Sequence, residues 1–304
     1  MANTKEIKMR IKSVRDTQKI TNAMYMIAST KMRKAKAELD KTRPYFNALQ
    51  AEIKRIFRTA EKSESKYFYP EKGSAALDKT YACLVITADK GLAGAYNLNV
   101  IKEAEKMLKD HSDTKLFVVG EYGRQYFYHH NIAVEKTFLY TAQNPTIDRA
   151  REISTILLDM FNSKKADKIF VIYTDFKNGL DSNTKSVRIL PFHRQQFFSK
   201  EKEKEVTTPF EFFPSIEKVL NNMIESYVSG FIYSALVDSF CSEQNARMTA
   251  MDSANRNAEK ILADLSVQYN RIRQSAITQE ITEVSSGAKA QKRKRQKRKE
   301  TQNA

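Results

Sequence analysis

A hydrophobic repeat of about 3.5 residues runs through the first helix-like segment of the chain. Counting in alternating steps of four and three from Ile7 to Ile56, twelve of the fifteen positions are apolar. A repeat sustained over this length is typical of a helix in a coiled coil. Pro44 interrupts the segment, and it predicts a bend or a break of the helix near Arg43.

A second apolar stripe lies beside the first over part of this helix. It consists of Ile20, Ala23, Met24 and Ile27. The helix is therefore apolar nearly all round at this level, although basic residues surround the stretch. Such a stretch is expected to be enclosed by a partner on more than one side.

The C-terminal third repeats the pattern and predicts a second long helix. The same alternating steps, started at Phe212, reach Ile272 through mostly apolar positions. No proline follows Pro214, so one helix is predicted from Ser215 onward, ending at Gly287. At 1.5 Å per residue it measures about 105 Å, against about 80 Å for the first helix.

Between the two helices the hydrophobic period changes to that of short β-strands. β-Branched and aromatic runs predict strands at residues 81–87, 115–120 and 168–174. Helix-like stretches follow them at residues 97–110, 121–130 and 146–163. Strands that alternate with helices indicate an α/β domain with a largely parallel sheet.

The order of these elements predicts the architecture. Both long helices attach to the same inserted domain, so they are expected to run antiparallel as a two-stranded coiled coil. The longer second helix is expected to extend alone past the start of the first. The fold class is a mixed α+β and α/β fold, in which a Rossmann-like α/β domain is inserted into the coiled coil. The predicted segments are a helix 1–60, an α/β domain 61–210, a helix 211–288 and a basic, disordered tail 289–304.

The formal net charge of +16 is concentrated at the two ends of the chain. Residues 1–60 carry fifteen Lys and Arg against five Asp and Glu, and residues 289–304 carry eight against one. A basic chain invites a nucleic-acid interpretation, but this surplus belongs to one segment and one tail. The tail is expected to be a solubilising extension or to seek an anionic surface. Sequence-specific nucleic-acid binding is the lesser alternative.

Composition argues against two further classes of protein. Cys83 and Cys241 both lie in apolar surroundings, which favours two buried reduced thiols over a disulfide scaffold. No run of about eighteen apolar residues occurs, so no segment is predicted to span a bilayer. The N-terminal residues have no apolar signal core, and the protein is expected to work where it is made.

The segment TADKGLAGAYN, residues 87–97, is the strongest candidate for a ligand loop because it links a strand to a helix. It lacks the spacing of both common phosphate-binding motifs, so a structural turn is the preferred interpretation. His129 and His130 are adjacent and point to different helix faces, which disfavours a shared metal. No catalytic motif is present, and no cofactor, metal or catalytic residue is predicted.

Four longer segments carry a resemblance to a known family. They are residues 17–36 (TQKITNAMYMIASTKMRKAK), 87–97, 242–251 (SEQNARMTAM) and 269–288 (YNRIRQSAITQEITEVSSGA). In sequence, order and spacing they resemble the signatures of the gamma subunit of the bacterial rotary, F-type ATP synthase. Together they frame residues 1–288.

The resemblance implies a function and a set of partners. In this family the coiled coil stands inside a hexamer of alternating alpha and beta subunits. The inserted α/β domain binds the epsilon subunit and the membrane rotor ring of c subunits. The chain would be a non-catalytic rotor shaft that couples proton or sodium translocation to ATP synthesis. Its expected location is the cytoplasmic face of the bacterial inner membrane, as a peripheral protein. The alternative is an α/β nucleotide- or nucleic-acid-binding module with helical arms.

The resemblance also assigns partner-contact residues. Met24, Lys31, Arg33 and Lys34 would contact the neck of the hexamer. Polar contacts to the beta subunits are expected from Arg273, Gln274, Thr278 and Glu280. The apolar bearing at the top would contain Ile277, Ile281, Val284 and Ala288. Residues 206–215 match the ring-facing segment of the family only loosely.

Overall fold

The computed structural model describes residues 4–59, 66–69, 79–139, 141–178, 181–192 and 212–302. Its helices are α1 (Thr4–Thr59), α2 (Tyr96–Asp110), α3 (Glu121–His129), α4 (Ile147–Asn162) and α5 (Ile216–Gln302). Its strands are β1 (Tyr81–Ile86), β2 (Thr114–Val119), β3 (Val134–Phe138), β4 (Lys168–Asn178) and β5 (Asp181–Leu190). The chain divides into two compact units, one of Met1–Tyr25 with Met251–Ala304 and one of Met26–Ala250.

The larger unit contains one five-stranded sheet with the strand order β3-β2-β1-β4-β5. The first four strands are parallel, and β5 pairs antiparallel with β4. Each of the three predicted strands and three predicted helices is present, with ends that differ by a few residues. The predicted mixed fold with a largely parallel sheet is confirmed.

Helices cover both faces of this sheet, which explains why β1 is buried along its whole length. Ala82, Leu84 and Ile86 point to one side and share a core with α1, α4 and α5. Cys83 and Val85 point to the other side and pack against α2 and α3. Alternate residues of a strand face opposite sides, so a strand between two helical layers is apolar throughout. Cys83 and Cys241 are both buried free thiols, as predicted.

Within the larger unit, α1 and α5 pack as an antiparallel pair. The rings of Phe46 and Tyr233 lie 6.3 Å apart between centroids, and the Gln50 side-chain amide donates to the Tyr227 hydroxyl at 3.5 Å. Later residues of α1 therefore meet earlier residues of α5. Gly230 permits the close approach, because a Cβ there would lie 2.0 Å from the Phe46 ring.

The smaller unit contains a second antiparallel stretch of the same two helices. The Thr21 hydroxyl donates to Asn255, and the Gln18 amide donates to Glu259 at 3.5 Å. Ile7, near the start of α1, is only 5% exposed. The paired helices thus continue the 3.5-residue repeat that the sequence predicts.

The predicted break of α1 at Pro44 and the predicted end of α5 at Gly287 are wrong, whereas the bend predicted near Arg43 stays a prediction. α1 continues through Pro44 without a break, because the buried side chains Leu39 and Ile53 hold the helix on both sides. Proline inside a helix costs about 3 kcal/mol, which such packing offsets. α5 continues through Gly287 to Gln302, so residues 289–302 are helical and the predicted disordered tail is corrected. Glycine costs only about 1 kcal/mol in a helix, and the Ala, Lys, Gln and Arg that follow are strong helix formers.

Some expectations fall on other parts of the chain. Residues 206–211 of the loosely matched ring-facing segment lie outside the described residues. In the part of the chain that the structure describes, no helix is long and apolar enough to cross a membrane.

Candidate partner surfaces

The C-terminal part of α5 is an uncovered helix. Every described side chain from Arg273 to Lys294 is exposed, whereas Leu265, two turns earlier, is buried. The structure therefore leaves all of the residues predicted for the upper contacts open to a partner, namely Arg273, Gln274, Ile277, Thr278, Glu280, Ile281, Val284 and Ala288. Among them, the Thr278 hydroxyl donates to the backbone carbonyl of Gln274 at 2.9 Å.

Three large aliphatic side chains make this helix unusual for a solvated one. Ile277, Ile281 and Val284 are 47%, 64% and 74% exposed. Steps of four and three residues place them on one face, and we call this face the bearing stripe. Aliphatic groups left in water at helical spacing indicate a surface that a partner covers.

In the smaller unit, α1 presents part of the second apolar stripe. Ile20 is 61% exposed and Ala23 is also exposed. Met24 is half-buried, so part of its side chain is accessible. The accessible part of the Met24 side chain is available for the predicted neck contact.

In the larger unit, α1 carries further apolar and basic residues at its surface. Met26 and Ile27 are 60% and 57% exposed. Lys31, Arg33 and Lys34, which the family resemblance assigns to a partner contact, are exposed as well. A mixed apolar and cationic surface of this kind suits an acidic protein partner.

Lys31 also has an electrostatic partner within the chain. Burial raises the pKa of Glu243, and the Arg247 guanidinium and the Lys31 ammonium oppose that rise. Glu243 and Arg247 form an ion pair on α5 in which both side chains are largely buried. Sequence reasoning missed this pair, although a Glu four residues before an Arg on a helix is a recognisable signal.

The loop of residues 87–97 is tied to the fold on several sides. The Ala88 N–H donates to the Asn97 side chain at 2.9 Å, and the Asp89 carboxylate accepts from the Glu121 N–H at 3.0 Å. The Arg247 guanidinium donates to the Gly91 carbonyl at 3.1 Å. The loop thus presents a carbonyl to a cation of α5, whereas a phosphate site needs N–H groups directed at an anion. This arrangement is that of a structural turn.

A buried polar seam on α5 joins the helix to the sheet, and sequence reasoning missed it. The Ser239 hydroxyl accepts from the Thr174 N–H, and the Ser242 hydroxyl donates to the Thr174 carbonyl, both at 3.3 Å. Asp238 is also buried, and its carboxylate accepts from the Ser234 hydroxyl at 3.4 Å.

The electrostatics of Asp238 are unfavourable for a charged carboxylate. Burial, followed by repulsion from Asp175, raises the pKa of Asp238 to about 6. Arg43 and Lys185 oppose this shift only partly. Lys185 is held instead by Asp175, at 2.8 Å between the ammonium and the carboxylate.

The two adjacent histidines point to different neighbours. The His130 ring stacks on Tyr126 at 4.0 Å between centroids, whereas the His129 ring meets Tyr128 edge-on. Across the described ranges, no group of three or more His, Cys, Asp or Glu is placed to hold a metal ion.

Comparison with known proteins adds independent information. The family model described as ATP synthase matches residues 3–291. A protein of Acetivibrio thermocellus named ATP synthase gamma chain is 42% identical over 297 residues, covering 96% of this chain and 100% of the relative. A protein of Acetobacterium woodii named ATP synthase gamma chain, sodium ion specific, is 35% identical over 304 residues, covering 95% and 98%.

Solved structures give similar matches. The central stalk and c-ring structure of the Tetrahymena thermophila mitochondrial ATP synthase contains a chain that matches with a TM-score of 0.58 and 25% identity. That match covers 77% of this chain and 99% of the other. A rotor chain of the Euglena gracilis mitochondrial ATP synthase matches with a TM-score of 0.61 at 13% identity, over 90% and 98% of the two chains. At this identity the Euglena match concerns the fold alone.

Proposed function

Because this chain belongs to the family of ATP synthase gamma chains, we propose that it is the central rotor shaft of an ATP synthase. The observation that carries the proposal is the uncovered end of α5 with its bearing stripe, Ile277, Ile281 and Val284, all three largely exposed. An enzyme encloses its reactive groups in a cleft, whereas this surface is a long single helix with aliphatic groups on one side. Such a helix suits insertion into a protein sleeve.

The sleeve in this proposal is the hexamer of alternating alpha and beta subunits. A helix with an apolar stripe on one side and polar residues on the others presents a different face to each beta subunit as it turns. Each face binds the open, loose and tight states of a beta subunit with different free energies, which biases the populations of those states. The chain therefore acts mechanically, and nucleotide chemistry belongs to the beta subunits.

The same proposal assigns contacts to individual residues. Exposed Lys31, Arg33 and Lys34 face carboxylates of the hexamer's neck, and Met24 contacts the same neck through the second apolar stripe of α1. Arg273, Gln274, Thr278 and Glu280 contact the beta subunits above them. The inserted α/β domain binds the epsilon subunit and the c-ring, in keeping with the central stalk and c-ring assembly of the Tetrahymena relative. The chain then lies on the cytoplasmic face of the bacterial inner membrane as a peripheral protein.

Copurification tests this function. The tagged chain is expressed with alpha and beta subunits from the same organism and isolated at physiological salt. The expected product is a complex of three alpha, three beta and one tagged chain with ATPase activity. A matched variant, Ile277→Asp with Ile281→Asp, places charges on the bearing stripe. It should lower the yield of assembled complex by about tenfold or more, because buried charges without partners are costly. Recovery of the tagged chain free of alpha and beta subunits would contradict the proposal.

A further inference from the structure

The end of α5 carries a strongly basic segment. Residues 289–299, which we call the basic collar, contain eight Lys and Arg and no Asp or Glu. α5 is helical through the collar. Its first four basic side chains, Lys289, Lys292, Arg293 and Lys294, are exposed.

Charge repulsion opposes a helix in the basic collar. Residues three and four apart are neighbours on a helix surface, so Lys289 lies beside both Lys292 and Arg293. Like charges at these spacings destabilise a helix, and the favourable effect of the helix dipole on cations is limited to the last turn. An anionic partner removes the repulsion along the whole collar. The helical collar is therefore best matched to a negatively charged surface.

The bearing stripe indicates which class of anionic surface this is. Val284 and Lys294 belong to one helix and are separated by about 15 Å along its axis. A partner that encloses the stripe therefore has its rim beside the collar. A protein sleeve accounts for the stripe and the collar together, whereas nucleic acid accounts only for the charges. A membrane-bound helix needs a broader apolar face than these three aliphatic positions.

We propose that the basic collar docks on a carboxylate-rich rim of the alpha–beta hexamer, beyond the bearing. This inference rests on the proposed function and adds a second, electrostatic contact to it. The family match ends at residue 291, so most of the collar lies outside the matched residues. Its ion pairs lie at a surface, so they strengthen association at low ionic strength and are screened at high ionic strength.

The test compares two variants that lose the same number of charges. The collar variant carries Lys289→Gln, Lys292→Gln, Arg293→Gln and Lys294→Gln. The control variant carries Lys102→Gln, Lys106→Gln, Lys109→Gln and Lys165→Gln, at exposed positions of the inserted α/β domain. Glutamine has a helix propensity close to that of lysine and arginine, so the helices are kept while the charges are lost.

The dissociation constant of each full-length chain from purified alpha–beta hexamer is measured from about 0.05 M to about 0.5 M salt. The collar variant should bind about tenfold more weakly than the wild type at the lowest salt, and equally at the highest. The control variant should follow the wild type throughout. Equal affinity and equal salt dependence of the collar variant would overturn the collar contact while leaving the proposed function intact.

Two further outcomes separate the remaining possibilities. Failure of the wild-type chain to bind hexamer at any salt would overturn the proposed function, and the collar contact with it. Vesicles of phosphatidylglycerol and duplex DNA serve as competing probes. Collar-dependent binding to either of them, with unchanged affinity for the hexamer, would show that the anionic partner is not a protein rim and would overturn the proposal.

Discussion

Replacement of Asp238 by Asn should make the chain more stable at neutral pH. Asp238 lies in α5 within the larger unit and is 8% exposed, and the Ser234 hydroxyl donates to its carboxylate. Asn has nearly the same shape and a similar helix propensity, and it still accepts that hydrogen bond. The substitution therefore removes a buried charge and leaves the packing in place.

The magnitude follows from the pKa of Asp238, which is raised from 3.8 to about 6 by burial and by Asp175. A group with a raised pKa contributes stability below its unfolded pKa, and this contribution is lost as the pH rises through its folded pKa. A pKa difference of this size between the folded and unfolded states corresponds to about 3 kcal/mol in the free energy of unfolding. Asp238→Asn avoids this loss, so its advantage should be about 2–3 kcal/mol at pH 8 and vanish below the unfolded pKa of 3.8.

Urea unfolding of the full chain, followed by circular dichroism at several pH values, measures this difference. Asp159→Asn is the control, because Asp159 is an exposed aspartate on α4. Its stability should follow the wild type at every pH. An Asp238→Asn variant that is less stable than the wild type at pH 8 would refute the reasoning. That result would mean that attraction from Arg43 and Lys185 outweighs the cost of burial.

Three further predictions concern packing, coupling and nucleotide binding. Gly230→Ala should lower the free energy of urea unfolding by about 2–3 kcal/mol, because its Cβ meets the Phe46 ring. Gly287→Ala has open space around its Cβ and should stabilise α5 by up to about 1 kcal/mol. Met24→Lys should lower the number of protons or sodium ions pumped per ATP hydrolysed in membrane vesicles, since a new cation favours one rotor angle; an unchanged ratio would count against the neck contact. The purified chain alone should not bind ATP in equilibrium dialysis, and stoichiometric binding would favour the nucleotide-binding alternative.

The parts of the fold that sequence predicted well are those with a strong hydrophobic period. The repeat from Ile7 to Ile56 and the buried strand at residues 81–86 are dictated by local pattern alone. Strands β3 and β5 were missed because they lie at the sheet edges and contain many polar residues. Edge strands are stabilised by pairing with a neighbour, which no local pattern reveals.

The misplaced end of α5 has a related cause. Helices often end at a glycine, but a helix ends at Gly287 only if the backbone adopts the left-handed conformation there. The helix formers that follow Gly287 carry α5 onward instead. A single glycine is a weaker signal than the fifteen residues that follow it in α5.

The candidate surfaces divide in the same way. Ile277, Ile281 and Val284 could be identified from their spacing and from the family resemblance, and all three are exposed. The Glu243–Arg247 ion pair and the Asp238 seam could not, because a polar residue on a long helix is more often solvated than buried. Their burial arises from the loop at 87–97 and from Thr174 and Asp175 of β4, which tertiary structure brings to α5.

Observation of rotation in single complexes tests the shaft function most directly. Cys83 and Cys241 are buried, so Lys109→Cys on α2 introduces an exposed thiol for attachment of a bead. The alpha–beta hexamer is fixed to a surface, and ATP is added. The shaft function predicts that the bead turns in one direction with three dwells in each revolution, one for each beta subunit. Continued ATP hydrolysis by the same complexes with a stationary bead, or with a bead that only diffuses about its attachment, would contradict the shaft function.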